Sequence, residues 1–482
     1  MLAKNIIAGK EIINKVGVEN KRYDPSNGEL VSSYFESTND DIAAAVDSAE
    51  NALIQGKWSS DAKVRGNALM KIASILSDNI EHLAGIQSRE NGKILKESIN
   101  DLKISIDLFN YYGGVARSVY GKTSMSSPGK LCMTIREPIG VVAIIVPWNS
   151  PFILLSRSLA PALAAGTSVV VKPSSLTPYS IYEFIHLILE HCKEIPPDTL
   201  NLLQGSGSHV GNELVLNKKV SLISFTGSSD TGKQIMRDAS GTLKRVILEL
   251  GGKSPNIVFK DANMDNAITG ALTAARLRSA GQSCFAGTRL LIEEAAHEKF
   301  LKRVKELLPS LKVGNAMDPN SDVGPVISDD QERKVLDYIE TGKKSGELLY
   351  GGRVLKEGSL SHGHFIMPTV FDNVEPDSRI AQEEIFGPVL SVIPFKSVDD
   401  AIELANRTNF GLASAVWTKD LNTALKVAIG IKAGSVWVNT YGKFMSEMES
   451  GGYKQSGMGK SRGLMGVESY MELKNITIEM SA

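Results

Sequence analysis

Cysteine is nearly absent from this chain. Cys132, Cys192 and Cys284 are its only three among 482 residues. They are too few for a disulfide framework, and their spacing fits no zinc site. That excludes a stapled secreted scaffold and sets the expectation of a reducing, cytoplasmic setting, where a thiol stays free. An excess of one charge is also missing. Lys and Arg number 53 against 54 Asp and Glu, a net charge of −1. Such a balance gives no footing for nucleic-acid binding or for docking on an anionic membrane. No apolar run approaches the roughly 18 residues of a membrane-spanning helix. The stretch Met1 to Lys10 is mixed and charged, without the apolar core of a signal peptide. Internal repeats and low-complexity segments are absent too.

What remains is length and pattern. A chain of 482 residues has room for two or three domains around a large core. Asp40 to Arg65 reads as a helix that Asn39 or Asp40 can cap, and Ala62 to Glu90 continues as amphipathic helix with Leu69, Ile72, Ile75, Leu76 and Ile80 on one side. From Ile139 the pattern changes. Five short apolar runs follow: Ile139 to Val146, Thr167 to Lys172, Leu200 to Leu203, Val220 to Thr226 and Val246 to Leu250. Helical sequence separates the first three, over Pro151 to Ala165 and Pro178 to Cys192. Continuous apolar strands alternating with helices predict a parallel sheet covered on both faces. Ligands of such sheets lie beyond the strand C-termini, where Pro147, Lys172, Gly205 and Gly227 fall.

A second α/β region follows. Its predicted helices are Asn263 to Ser279, His297 to Leu308 and Asp399 to Asn406. The predicted strands are Thr288 to Ile292, Val389 to Ile393 and Ala413 to Trp417. Gly121 to Glu137 and the tail after Gly459 carry strand-like patches that fit neither region and can pair between subunits.

Three motifs carry chemistry. Cys284, in Gly281-Gln282-Ser283-Cys284, supplies a thiol that can attack a carbonyl carbon if its surroundings favour the thiolate. A lone cytosolic cysteine is more often inert and buried, which is how Cys132 and Cys192 are read. Asn149, in Pro147-Trp148-Asn149, is either a helix cap or an amide donor to an oxyanion, working with the backbone N–H of Cys284. Glu249 lies inside an apolar segment, so its carboxylate is either paired or functional; as a general base it would activate water. Gly227-Ser228-Ser229-Asp230-Thr231-Gly232 opens a predicted helix and can hold a pyrophosphate, although its glycine spacing is not that of the usual dinucleotide fingerprint. Lys172 is either a solvated lysine or a partner for a ribose hydroxyl.

In order along the chain stand Pro147-Trp148-Asn149, Val171-Lys172-Pro173-Ser174, Phe225-Thr226-Gly227-Ser228, Glu249-Leu250-Gly251-Gly252-Lys253, Gly281-Gln282-Ser283-Cys284, Glu383-Glu384-Ile385-Phe386-Gly387-Pro388 and Gly451-Gly452-Tyr453-Lys454-Gln455-Ser456-Gly457. This set resembles the aldehyde dehydrogenase superfamily over nearly the whole chain. The resemblance implies an α/β fold: a Rossmann-type parallel-sheet NAD(P)-binding domain (1–120 and 139–250), an α/β catalytic domain (251–445) and a small β oligomerisation element (121–138 and 455–482). It implies Cys284 as nucleophile, Glu249 as base and Asn149 in the oxyanion hole, with no metal. Trp148, Lys172, Ser175, Gly227, Ser228, Gly232, Leu250, Gly251, Glu384 and Phe386 would contact the cofactor, Glu384 at the nicotinamide ribose. A small-molecule aldehyde and a homodimer or homotetramer are the implied partners.

Some positions depart from common members. Ser175 stands where NAD-preferring relatives carry Glu, which leaves room for a 2′-phosphate with Lys172 as counter-charge and makes NADP+ use an expectation beside NAD+. Arg157 and Arg278 fall where succinate-semialdehyde dehydrogenases place arginines on a substrate carboxylate; the other reading pairs each with a protein acid. Those enzymes use a serine where Phe444 stands. Ser150 and Ser450 replace common aromatics, which widens the tunnel for a longer or aromatic aldehyde. Glu449 replaces a frequent Pro. Two rival readings remain: an acylating enzyme that passes the acyl group to coenzyme A, which Glu249 argues against, and a catalytically silent structural homologue, which the intact Cys284, Glu249 and Asn149 set argues against.

Overall fold

A computed structural model describes residues 1–15 and 17–480; the last two positions of the expected oligomerisation element lie outside the described residues. Two sheets dominate. All five predicted apolar runs lie side by side in the first, in the order Arg245–Glu249, Val220–Thr226, Val141–Ile145, Ser168–Lys172, Leu200–Leu202, and every pair is parallel. Each residue of Val141–Ile145 and of Ser168–Lys172 is buried. That double-sided burial is why Val141–Ile145 and the Val169-Val170-Val171 centre of its neighbour are continuously apolar rather than alternating. Each Val or Ile contributes roughly 1.5–3 kcal/mol by leaving water. Gly457–Met458 and the pair Asn5–Ile7 and Lys10–Ile12 extend the two edges antiparallel, making eight strands.

The chain order of the five strands is 3-2-1-4-5 across the sheet. The first strand therefore has the second on one side and the fourth on the other, and a crevice opens beyond Ile145 and Thr226. Helix Pro151–Ala165 starts there and coincides with its predicted bounds.

The second sheet has seven strands, in the order Glu347–Tyr350, Thr369–Asp372, Val389–Phe395, Arg289–Glu293, Pro255–Val258, Ala413–Trp417, Ser435–Val438. All pairs are parallel except the edge pair formed by Glu347–Tyr350. Residues 250–254 carry the chain from the end of Glu249 in the first sheet to Pro255 in the second. A separate three-stranded antiparallel sheet joins Met471–Glu479, Lys130–Pro138 and Lys122–Ser127.

Several expectations need correction. The helix read over Asp40 to Arg65 breaks at Gly56, whose φ of +69° ends Asn39–Gln55. Thr38, rather than Asn39 or Asp40, caps it in a reciprocal capping box with Asp41. Asp61 then caps a new helix, Ala62–Asp78, and Asn79 separates that from Ile80–Asn91. The predicted Asn263 to Ser279 helix stops at Ala274, because Arg276 takes a left-handed φ of +55°. Residues 455–470 do not join the three-stranded sheet: Gly457–Met458 pairs with the strand that bears Glu249.

Candidate active site

Cys284 sits in the tight segment before strand Arg289–Glu293, facing the C-terminal ends of the first sheet. Two glycines let the backbones close around it. A Cβ on Gly252 would lie 2.5 Å from the Cys284 carbonyl oxygen, and one on Gly281 would lie 1.9 Å from that of Gly387. The Gly251-Gly252 turn, the cysteine loop and the Glu384-to-Pro388 loop are thus packed backbone on backbone. Glu384 fastens the same turn, its Oε1 accepting the Gly252 N–H at 3.1 Å.

Two cavities meet at this point. One, of 270 Å³, is bordered by Asn149, Ser150, Leu154, Arg157, Glu249, Cys284, Phe285, Phe444, Ser450 and Arg462 among others. The other, of 210 Å³, is bordered by Trp148, Asn149, Leu154, Gly227, Ser228, Glu249, Leu250, Gly251, Cys284, Glu384 and Phe386. Asn149, Leu154, Glu249 and Cys284 belong to both walls.

Asn149 is buried and donates one Nδ2 hydrogen to the Gln282 carbonyl at 3.1 Å. It does not cap Pro151–Ala165, whose cap position is Ser150, and Ser150 makes no side-chain cap bond. Instead Ser150 Oγ accepts from Lys93 Nζ, a buried ammonium paired with Asp101. Glu249 is buried and paired. Ser461 Oγ donates to its Oε1 at 3.1 Å, and Arg157 Nη1 lies 3.5 Å from Oε2. The same guanidinium donates to Thr226 Oγ1 at 3.0 Å. The protein-acid reading of Arg157 is therefore what the geometry supplies, with the arginine still in the cavity wall. Burial pushes the Cys284 thiol up to about 11, and the nearby carboxylates of Glu384 and Glu249 add to this while Arg157 opposes it. The sulfur rests as a thiol. Burial also raises the Glu384 carboxyl to about 7.

The second cavity has the features a dinucleotide needs. A third hollow of 490 Å³ has the apolar residues Ile145, Val215, Phe225 and Ile235 in its wall, together with Asp230 and Thr231 just after Ser228. Ser228 caps helix Ser229–Ala239 between the two hollows, leaving first-turn N–H groups for an anion. A flat apolar base, a pyrophosphate and a ring reaching Cys284 would fit this sequence of surfaces. Phe386, at φ +59°, sets its ring edge-on to Trp148 at 5.3 Å in the wall nearest the sulfur. Gly232 borders neither hollow; its missing Cβ makes room for Leu250, whose Cδ2 would be 2.7 Å away.

Other expected residues lie elsewhere. Arg278 is exposed and lines a different hollow with Asp322, whereas Arg276 lines the Cys284 cavity. Arg276 borders both hollows, Arg278 only the outer one. Ser175 is half-buried and borders neither cofactor hollow. Lys172 is buried, donating to the carbonyls of Pro173 and Gly205, and desolvation lowers its ammonium to about 8. Glu449 turns outward, its Oε1 accepting weakly from Met465 N–H at 3.4 Å. Sequence reasoning missed Arg276, Ser461, Arg462 and Glu36. Glu36 accepts from the N–H and hydroxyl of Ser206, and its Cγ lies close to Gly205, to which Lys172 also bonds.

Fold and site together define a two-sheet α/β class in which a cysteine sits where two cavities meet. The profile of the aldehyde dehydrogenase family matches residues 14–476. Betaine aldehyde dehydrogenase of Bacillus subtilis is 43% identical over 455 residues, 94% of this chain and 92% of that one. An aldehyde dehydrogenase of Emericella nidulans is 39% identical over 465 residues, 95% and 92% of the two chains. The crystal structure of Staphylococcus aureus betaine aldehyde dehydrogenase in complex with NAD+ superposes with a TM-score of 0.97 at 36% identity, covering 100% of this chain and 95% of that one. The chain belongs to the aldehyde dehydrogenase family.

Proposed function

We propose that this chain oxidises an aldehyde to the carboxylic acid with NAD(P)+ through a covalent cysteine adduct. The observation that carries the reading is the meeting of two cavities at Cys284, Asn149 and Glu249. NAD(P)+ bound in the second cavity would supply the hydride acceptor. The chain's own residues do the rest. Cys284 gives up its thiol proton to water as Sγ bonds to the carbonyl carbon and the C=O π pair moves to oxygen, giving a thiohemiacetal anion. The second Nδ2 hydrogen of Asn149, which the Gln282 carbonyl does not take, serves the oxygen as it becomes anionic. Once the adduct is a thioester, Glu249 takes a proton from water, the hydroxide adds to the acyl carbon, and the carbon–sulfur bond breaks to free acid and thiol. Release of acid without coenzyme A, with one NAD(P)H per aldehyde, is the expected outcome; acyl transfer only when coenzyme A is present would overturn the hydrolytic step.

In this reading the eight-stranded sheet serves the cofactor, the seven-stranded sheet catalysis and the three-stranded sheet pairing between copies. On the cofactor itself, Glu36 favours NAD+. Its carboxylate lies beside Gly205 and is close enough to Lys172 to hold that ammonium's charge, so a 2′-phosphate would meet a negative group despite the small Ser175. Reduction rates at matched NAD+ and NADP+ concentrations test this, and faster turnover with NADP+ would reverse it.

A further inference from the structure

The cavity of 270 Å³ contains an unusual set of cations. Arg157, Arg276, Lys443 and Arg462 line it, against Asp101 and Glu249. Asp101 is already neutralised by Lys93, and Glu249 by Arg157. Arg276 is placed 3.7 Å from Glu97. Arg462 differs from all of these. Only 5% of it is exposed, and among the described residues its guanidinium makes no ion pair and no side-chain hydrogen bond. Its Nη1 is fully buried without a partner. A buried cation left in this state is costly unless something else completes it.

The backbone adds a second sign. Arg462 has φ +64° and ψ 176°, a region almost confined to glycine. Strain of this kind, at a residue lining a cavity, points to a side chain held in place for use.

The aromatic lining gives a third. Phe285 and Phe444 are the aromatic residues of this cavity, edge to face at 5.1 Å. Each already carries a guanidinium: Arg276 lies 4.9 Å from the Phe285 centroid, and Arg462 lies 5.0 Å from that of Phe444. Aromatic faces are what bind a quaternary ammonium. Here internal cations occupy them, and a further cation would meet like charge in a confined space.

We propose that Arg462 selects the charge of the aldehyde's tail, holding a carboxylate in the Cys284 cavity and excluding a quaternary ammonium. This inference rests on the aldehyde-oxidising reading above. It also separates this chain from its relatives named for betaine aldehyde, whose tail is cationic. The carboxylate would pair with the Arg462 guanidinium where it borders the cavity, against the Phe444 ring at 5.0 Å.

The test compares succinic semialdehyde, pentanal and betaine aldehyde as substrates of the full-length protein with NAD+. A charged hydrogen bond in a buried site is worth about 10- to 100-fold, so kcat/KM should be highest for succinic semialdehyde and lowest for betaine aldehyde. Arg462→Gly suits the strained backbone and should fold. It should cost succinic semialdehyde about 10-fold more than pentanal, mostly in KM. Arg462→Lys should restore part of that difference. On the parent protein, succinate should compete with pentanal and tetramethylammonium should not. Equal losses for both substrates in Arg462→Gly, or pentanal outrunning succinic semialdehyde on the parent, would overturn the inference while leaving aldehyde oxidation intact. If no aldehyde of the three reduced the cofactor, the aldehyde-oxidising reading itself would fall.

Discussion

Glu249 cannot act in isolation, because its two oxygens are already engaged by Ser461 and Arg157. These contacts hold the carboxylate in the wall shared by the two cavities, which suits a base that must wait for the acyl-enzyme. Removing its charge separates the two halves of the reaction. Glu249→Gln should give a burst of about one NADH per site followed by turnover reduced about 100-fold or more, read by stopped-flow absorbance. A burst followed by unchanged turnover would remove Glu249 from the hydrolytic step. Cys284→Ala should abolish both phases. Glu384 supplies a pH dependence with a definite sign. Burial lifts its carboxyl to about 7, and only the ionised form accepts from two ribose hydroxyls. NAD+ affinity should therefore rise with pH through about 7 and level off roughly a unit above it, by titration calorimetry. Glu384→Gln should flatten that profile; an unchanged profile in the variant would assign the titration elsewhere.

At the scale of elements, the site is built by turns that bring strand ends together. The Leu250-to-Ser254 turn links the sheets and leaves no space for a side chain at Gly252, where a Cβ would sit 2.5 Å from the Cys284 carbonyl. Gly252→Ala must push the cysteine loop aside. It should lower kcat at least about tenfold while far-ultraviolet circular dichroism stays as in the parent; a fully active variant would show that the loop yields freely. The same distinction governs what the sequence could reveal. The five apolar runs and helix Pro151–Ala165 were legible because burial on both faces writes itself as uninterrupted apolar residues, and Pro or Gly marks the ends. Glu249 and Asn149 drew notice because each stands at or just past such an end, and Cys284 because of its Gly281-Gln282-Ser283-Cys284 motif. The substrate wall was not. Arg276 and Arg462 have φ of +55° and +64°, and no periodicity predicts which way a side chain leaves a left-handed residue. Arg278 was expected in the cavity from its family position and lines another hollow. Asn5–Ile7 and Lys10–Ile12 were missed because three-residue edge strands carry too little pattern to register.

For the whole molecule, the three-stranded sheet is the part least explained by one chain. Met471–Glu479 pairs along its full length with Lys130–Pro138, yet most of its residues are exposed, Leu473 at 62% and Ile478 at 42% among them. Met480 and Met125 are exposed as well. A two-stranded or three-stranded ribbon with both faces open is marginal in water, and an outer strand with free edge groups is a template for pairing. A second copy would bury these apolar side chains and the edge at once, so the protein is expected to be a dimer or tetramer through this ribbon. Replacing Leu473 and Ile478 together with Lys should shift the mass measured by light scattering toward the monomer of 52.0 kDa. Because Cys284 and its cavities are formed within one chain, the separated monomer should retain measurable NADH production with its best aldehyde. An unchanged mass in the double variant would place the interface on another face, and a monomer devoid of activity would mean that the partner stabilises the site.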